Sequence, residues 1–148
     1  MYFNGIQSYR KTDISTSDPV RRVIMCYEGA IDNLKLAKEK IKEKDYEKKS
    51  KAIIKAQDII DELVCSLDFE KGGDIAANLS RLYNYMLRRI LLGDVNKDMD
   101  AIDEVIDMLS ELLSAWQSIY GQKDMQPRPV VNDFNENKTP VSSGYIGA

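Results

Sequence analysis

Apolar residues recur at intervals of three and four along four successive stretches of this chain, a period that specifies amphipathic helices and no strand. The first stretch opens at Asp18-Pro19, where Asp18 can cap and Pro19 sits in the first turn, where its missing N–H costs nothing. Val20, Val23, Ile24, Tyr27, Ala30, Ile31, Leu34, Ala37 and Ile41 follow in register, predicting a helix over 18–43. Its last turns hold Lys35, Lys38, Lys40 and Lys42, the sign favoured at a helix C-terminus. Asp45 is the next cap, and Ile53, Ala56, Ile60, Leu63, Val64 and Leu67 predict a second helix over 45–68. Gly72-Gly73 then breaks the period as a turn. A third helix restarts at Asp74 with Ile75, Leu79, Leu82, Met86 and Ile90 as its core face, and Gly93 reads as its stop. The fourth, from Asp98 to Tyr120, carries Met99, Ile102, Val105, Ile106, Leu109, Leu112, Leu113, Trp116 and Ile119, with Gly121 as C-cap.

Short connections make sequential helices antiparallel, so the expected fold class is all-α, an antiparallel up-down four-helix bundle over 18–121. Residues 1–17 form an irregular N-terminal segment whose Tyr2, Phe3, Ile6 and Tyr9 are more apolar than a solvated tail. Residues 122–148 contain Pro127, Pro129 and Pro140, scattered Asn and Ser and no apolar face, and read as a disordered tail.

The 148 residues, 43% hydrophobic, suffice for one buried core. A formal charge of only −3 supplies no strong field for nucleic acid or an anionic membrane. Histidine is absent, which removes the commonest acid–base catalyst and metal ligand, and an enzyme is not expected. The start of the chain has no signal-peptide pattern and no apolar run approaches a membrane span, so a cytosolic protein without membrane insertion is expected. Cys26 and Cys65 then read as reduced, buried thiols.

The residues that could carry chemistry mostly have plain structural readings. Asp98, Asp100, Asp103, Glu104, Asp107 and Glu111 cluster on the fourth helix, but a carboxylate di-metal bundle also needs histidines; no metal or cofactor is expected, and the run reads as an acidic face that meets basic neighbours. Gly72-Gly73 matches no phosphate-binding loop. Arg81, Arg88 and Arg89 make a basic face too short for nucleic acid. More informative is the third helix, whose apolar positions spread over roughly 180° of its wheel, with Tyr85 outside the stripe and Ile54 and Ile59 at or beyond the margins of the second helix's stripe. Such surplus suits either a groove for an apolar peptide or an inner helix touching two neighbours, and accessibility decides between them.

The chain resembles the flagellin-specific export chaperones called FliS. The resemblance rests on Thr16-Ser17-Asp18-Pro19, Tyr27-Glu28-Gly29-Ala30-Ile31, Lys55-Ala56-Gln57-Asp58-Ile59-Ile60-Asp61-Glu62-Leu63, Ser66-Leu67-Asp68, Gly72-Gly73, Asn78-Leu79, Leu82-Tyr83-Asn84-Tyr85-Met86, Arg88-Arg89, Asp103-Glu104-Val105-Ile106 and Ala115-Trp116, in the family's order and spacing. It implies a non-catalytic cytosolic chaperone that binds the disordered C-terminal segment of flagellin, prevents premature polymerisation and presents it to the flagellar type III export apparatus. The partners implied are that segment and export-gate components, with the chaperone a monomer or weak dimer. The alternative is a helical-bundle adaptor for a different protein. The groove roles expected are apolar contact for Ile53, Ile60, Leu79, Tyr83 and Met86, conditional on their accessibility, and polar fixing of client backbone for Gln57, Asp58, Asn78 and Arg88. Ile6 and Tyr9 of the N-terminal stretch would occupy part of the groove when no client is bound.

Overall fold

The structure, a computed structural model, describes residues 18–125. Four helices, α1 (Pro19–Glu43), α2 (Tyr46–Cys65), α3 (Phe69–Asn96) and α4 (Met99–Met125), follow one another, and no strand occurs among the described residues. An aspartate stands at the start of each. Asp18 accepts from the Val20 N–H at 2.9 Å, Asp45 from Lys48 at 3.2 Å, Asp68 from Glu70 and Lys71 at 3.0 Å, and Asp98 from Asp100 at 3.0 Å. Each carboxylate satisfies amide donors that the first turn leaves without intrahelical partners.

Two of the three connections are the dipeptide Lys-Asp. Lys44 and Lys97 adopt left-handed backbone, with φ of 60° and 54°, turning the chain so that the following aspartate caps the next helix. Asp45 N–H then closes on Lys40 O at 2.9 Å, and Asp98 N–H on Gly93 O at 2.9 Å. Turns this short leave only antiparallel neighbours.

The core holds Tyr27 and Leu34 of α1, Ile53 and Ile60 of α2, Tyr83, Met86 and Ile90 of α3, and Ile102, Val105 and Leu109 of α4, all fully buried. Charged contacts at the margins tie neighbouring helices. Lys38 pairs with Asp103 between α1 and α4, Lys49 with Asp94 between α2 and α3, and Arg89 with Glu104 at 2.7 Å between α3 and α4. The acidic run of α4 is therefore partly spent on basic neighbours, as its sequence suggests. The last turns of α4, from Gln117, belong to a unit of their own.

Several elements differ from the sequence expectation. The second helix stops at Cys65, three residues early, because Asp68 caps α3, which opens with a short segment from Phe69 ahead of the expected restart at Asp74. Gly72-Gly73 breaks the helical period where the sequence places a break, but as a kink: Gly73 is non-helical at φ 50°, ψ −125°, backbone that a side chain disfavours, and two helical segments of α3 meet there. Gly93 does not end the helix. It is buried where α3 meets α4, and a Cβ there would lie 2.8 Å from Ile102 Cγ1. Gly121 lies inside α4, which runs on to Met125.

The core face of α3 keeps Met86 and Ile90 as expected, with Leu79 packed against it, and adds Ala76, Tyr83 and Gly93, whereas Ile75 is 71% exposed and Leu82 lies at the surface. Cys26 is buried, but Cys65 is exposed, two positions from buried Leu63 and so on the opposite side of α2.

Candidate functional site

The kink at Gly73 opens a groove at the end of the bundle where α1 begins, α2 ends, α3 begins and α4 brings Trp116. It has a volume of about 320 Å³, and Val23, Leu63, Leu67, Ile75, Ala76, Leu79, Tyr83 and Trp116 give it a mostly apolar lining. Ser66, Asp68 and Lys71 supply the polar rim. Local structure explains its shape. Ser66 N–H bonds to Glu62 O at 3.0 Å and Ser66 Oγ donates to Leu63 O at 2.9 Å, tying off α2 so that Leu67 turns inward. Gly72 lies so close to Ala76 that an added Cβ would sit 2.8 Å from the Ala76 Cβ.

Two of the lining residues, Tyr83 and Trp116, join the buried Tyr27 in a hydrogen-bonded aromatic cluster. Trp116 Nε1 donates to Tyr27 Oη at 3.0 Å, and the Tyr27 and Tyr83 hydroxyls share a hydrogen bond at 2.5 Å. Burial raises the ionisation of both tyrosines above the ordinary phenol range, because a phenolate would lose its hydration; at Tyr83 the neighbouring Tyr27 adds to the rise, while hydrogen bonds from Tyr83 and Trp116 partly oppose it at Tyr27. The cluster is thus a neutral support for the groove floor, joining α1, α3 and α4 by directional bonds.

A second opening of about 310 Å³ lies between α3 and α4, lined by Leu82, Met108, Glu111 and Leu112. Close to it along α3, Tyr85 donates to Glu104 Oε2 at 2.6 Å and Arg89 Nε to Glu104 Oε1 at 2.7 Å. Those two donors hold the Glu104 carboxyl below its usual range, the Tyr85 hydroxyl acting most strongly. Among the described residues no cluster of three or more His, Cys, Asp or Glu could hold a metal ion. No helix is long and apolar enough to cross a membrane.

The residues singled out from sequence divide. Leu79 and Tyr83 line the groove. Ile53, Ile60 and Met86 do not: they are buried in the core and line neither this groove nor the opening between α3 and α4. Gln57 is half-buried and Asp58 buried, where desolvation first and the like charge of Asp61 second push its carboxyl up. Asn78 and Arg88 are exposed, Asn78 accepting from Arg81 and Arg88 lying 6.0 Å from the Tyr85 ring centre, and neither lines the groove. Ile6 and Tyr9 lie outside the described residues. Sequence reading missed Ile75, Leu67 and Trp116 as groove residues, since each continues an apolar stripe and so reads as core.

The sequence pattern of the family described as Flagellar protein FliS matches residues 2–123, which spans all four helices and the groove. The chain belongs to the FliS family. It is 37% identical over 128 residues to the flagellar secretion chaperone FliS of Salmonella typhimurium, covering 83% of this chain and 95% of that protein. The Vibrio cholerae flagellar secretion chaperone FliS is 35% identical over 78% of this chain and 88% of its own length. The Bacillus subtilis protein of the same name is 29% identical over 77% and 84%. Every residue that lines the groove lies within the matched FliS region.

Proposed function

We propose that this chain is an export chaperone that binds the C-terminal segment of flagellin, prevents its premature polymerisation and presents it to the flagellar type III export apparatus, acting in the cytosol and without catalysis. One observation carries the reading: an open, mostly apolar groove in which Ile75 stands 71% exposed, in a chain whose curated relatives are named flagellar secretion chaperones. An exposed isoleucine beside a concave apolar lining is surface that gains by being covered. A disordered client loses conformational freedom on docking, so affinity must come from apolar contacts spread over much surface. Leu82 and the second opening between α3 and α4 extend the surface that an extended segment could follow.

The test is calorimetric titration of the full chain with a peptide of about the last forty residues of the same organism's flagellin, read for stoichiometry and heat-capacity change. One-to-one binding with a clearly negative heat-capacity change supports the reading. A folded protein that gives no heat at any temperature defeats it, and turns the search to an adaptor role with another protein.

A further inference from the structure

Between residues 35 and 55 the sequence carries nine lysines against four acidic residues, in a chain whose net charge is −3. That excess gathers where α1 ends and α2 begins. Here the two helices leave a cleft of about 200 Å³, lined by Asn33, Leu36 and Lys40 of α1 and by Lys48, Lys51, Ala52 and Lys55 of α2. On each helix these positions span two turns of one face, roughly 10 Å along the axis. Leu36 is half-exposed among the lysines. We propose that this cleft docks a short acidic amphipathic helix of a partner protein, a site separate from the apolar groove at the other end of the α1/α2 hairpin.

The chemistry selects that occupant. Among the described residues, Lys40, Lys48 and Lys51 pair with Glu43 at 3.0 Å, Asp45 at 3.8 Å and Glu47 at 3.6 Å, contacts within one helix or its cap. Pairs as exposed as Lys48–Asp45 and Lys51–Glu47 are weakly held and exchange readily for a partner's carboxylates. Lys55 has no ion pair among the described residues. Leu36 and Ala52 give the cleft apolar surface, which matches leucine-like side chains and has no counterpart in a phosphate backbone. A lipid headgroup layer is flat and does not enter a concave cleft. Nucleic acid would also find no stacking platform, since Lys97 already covers the nearby Tyr46 ring at 4.7 Å.

The test uses the full chain, isotopically labelled, and a synthetic peptide of about fourteen residues with leucines every three or four positions and glutamates between them. Amide shifts confined to Asn33, Leu36, Lys51, Ala52 and Lys55, affinity that falls with added salt, and about tenfold weaker binding of the peptide with glutamine for glutamate are expected. Lys51→Glu/Lys55→Glu should also bind about tenfold more weakly while keeping its circular dichroism and its response to the flagellin peptide. Lys55→Ala serves as the milder variant should the double one fold poorly, and should weaken binding in the same sense. Equal binding of the glutamine peptide, shifts that map to the apolar groove, or undiminished binding by folded lysine variants overturns the proposal. So does tighter binding of a single-stranded oligonucleotide or of phosphatidylglycerol vesicles to the same residues.

Discussion

Tyr83 shows how one side chain can serve fold and groove together. Its ring faces the groove at 2% exposure, and its hydroxyl is shared with Tyr27, which in turn accepts from Trp116. Tyr83→Phe leaves the buried Tyr27 hydroxyl short of one partner and should cost about 1–2 kcal/mol in urea unfolding. The pH dependence follows from the raised ionisation of both tyrosines. Below the unfolded value of about 10, folded and unfolded chains both hold these protons and the contribution is constant. Above it the unfolded chain releases them while the fold does not, so stability falls as pH rises. The gap between wild type and Tyr83→Phe should therefore narrow above about pH 10, as urea midpoints at stepped pH would record. Met86 makes the opposite case. At 0% exposure it belongs wholly to the core, so Met86→Asp, which on a groove reading would only weaken client binding, should instead unfold the bundle by circular dichroism. Met86→Ala should cost about 2–5 kcal/mol.

At the scale of elements, the aspartate caps at Asp18 and Asp45 made the first two helix starts legible, because a cap is a local bond that sequence spacing states outright, whereas Asp68, which caps α3, reads in sequence as the end of the second helix. Glycine was harder, since its meaning depends on what approaches it. Gly93 and Gly121 both look like helix stops in sequence, yet both lie inside helices. A Cβ at Gly93 would meet Ile102 Cγ1 at 2.8 Å and Asp98 O at 3.1 Å, whereas one at Gly121 would meet nothing within 4 Å. Gly93→Ala should therefore push α3 from α4 and destabilise by about 1–3 kcal/mol, while Gly121→Ala should be neutral or stabilise by up to about 1 kcal/mol through helix propensity. Thermal unfolding of the two variants side by side checks both signs. Ile75 and Leu82, which stand off the core face of α3, read as part of it in sequence for a related reason. Its inward stripe includes Ala76, Tyr83 and Gly93, residues that hydropathy ranks below Ile75 and Leu82, so the bulkier outward residues drew the pattern towards themselves. An apolar helix wider than one seam fixes that it touches something on each side, not which side is protein and which is groove.

Over the whole molecule, the same hairpin of α1 and α2 carries two surfaces of unlike chemistry at its two ends. The apolar groove draws Val23 from the start of α1 and Leu63 and Leu67 from the end of α2, and the lysine cleft draws on the opposite ends of both helices. The intervening core of Tyr27, Leu34, Ile53 and Ile60 is fully buried, so a surface change at one end has no loose packing through which to disturb the other. Additivity should hold between sites so separated. Ile75→Glu places a charge on a side chain 71% exposed in the groove, and should change stability by no more than about 0.5 kcal/mol. Its affinity for the flagellin C-terminal peptide should fall about tenfold or more, with a less negative heat-capacity change, because a carboxylate in an apolar contact keeps its water. Lys51→Glu/Lys55→Glu should leave that titration unchanged and lose the acidic peptide instead. Four titrations, two variants against two peptides, therefore separate the sites: loss confined to one peptide in each variant establishes independent surfaces, and loss of both peptides in either variant means that one surface serves both.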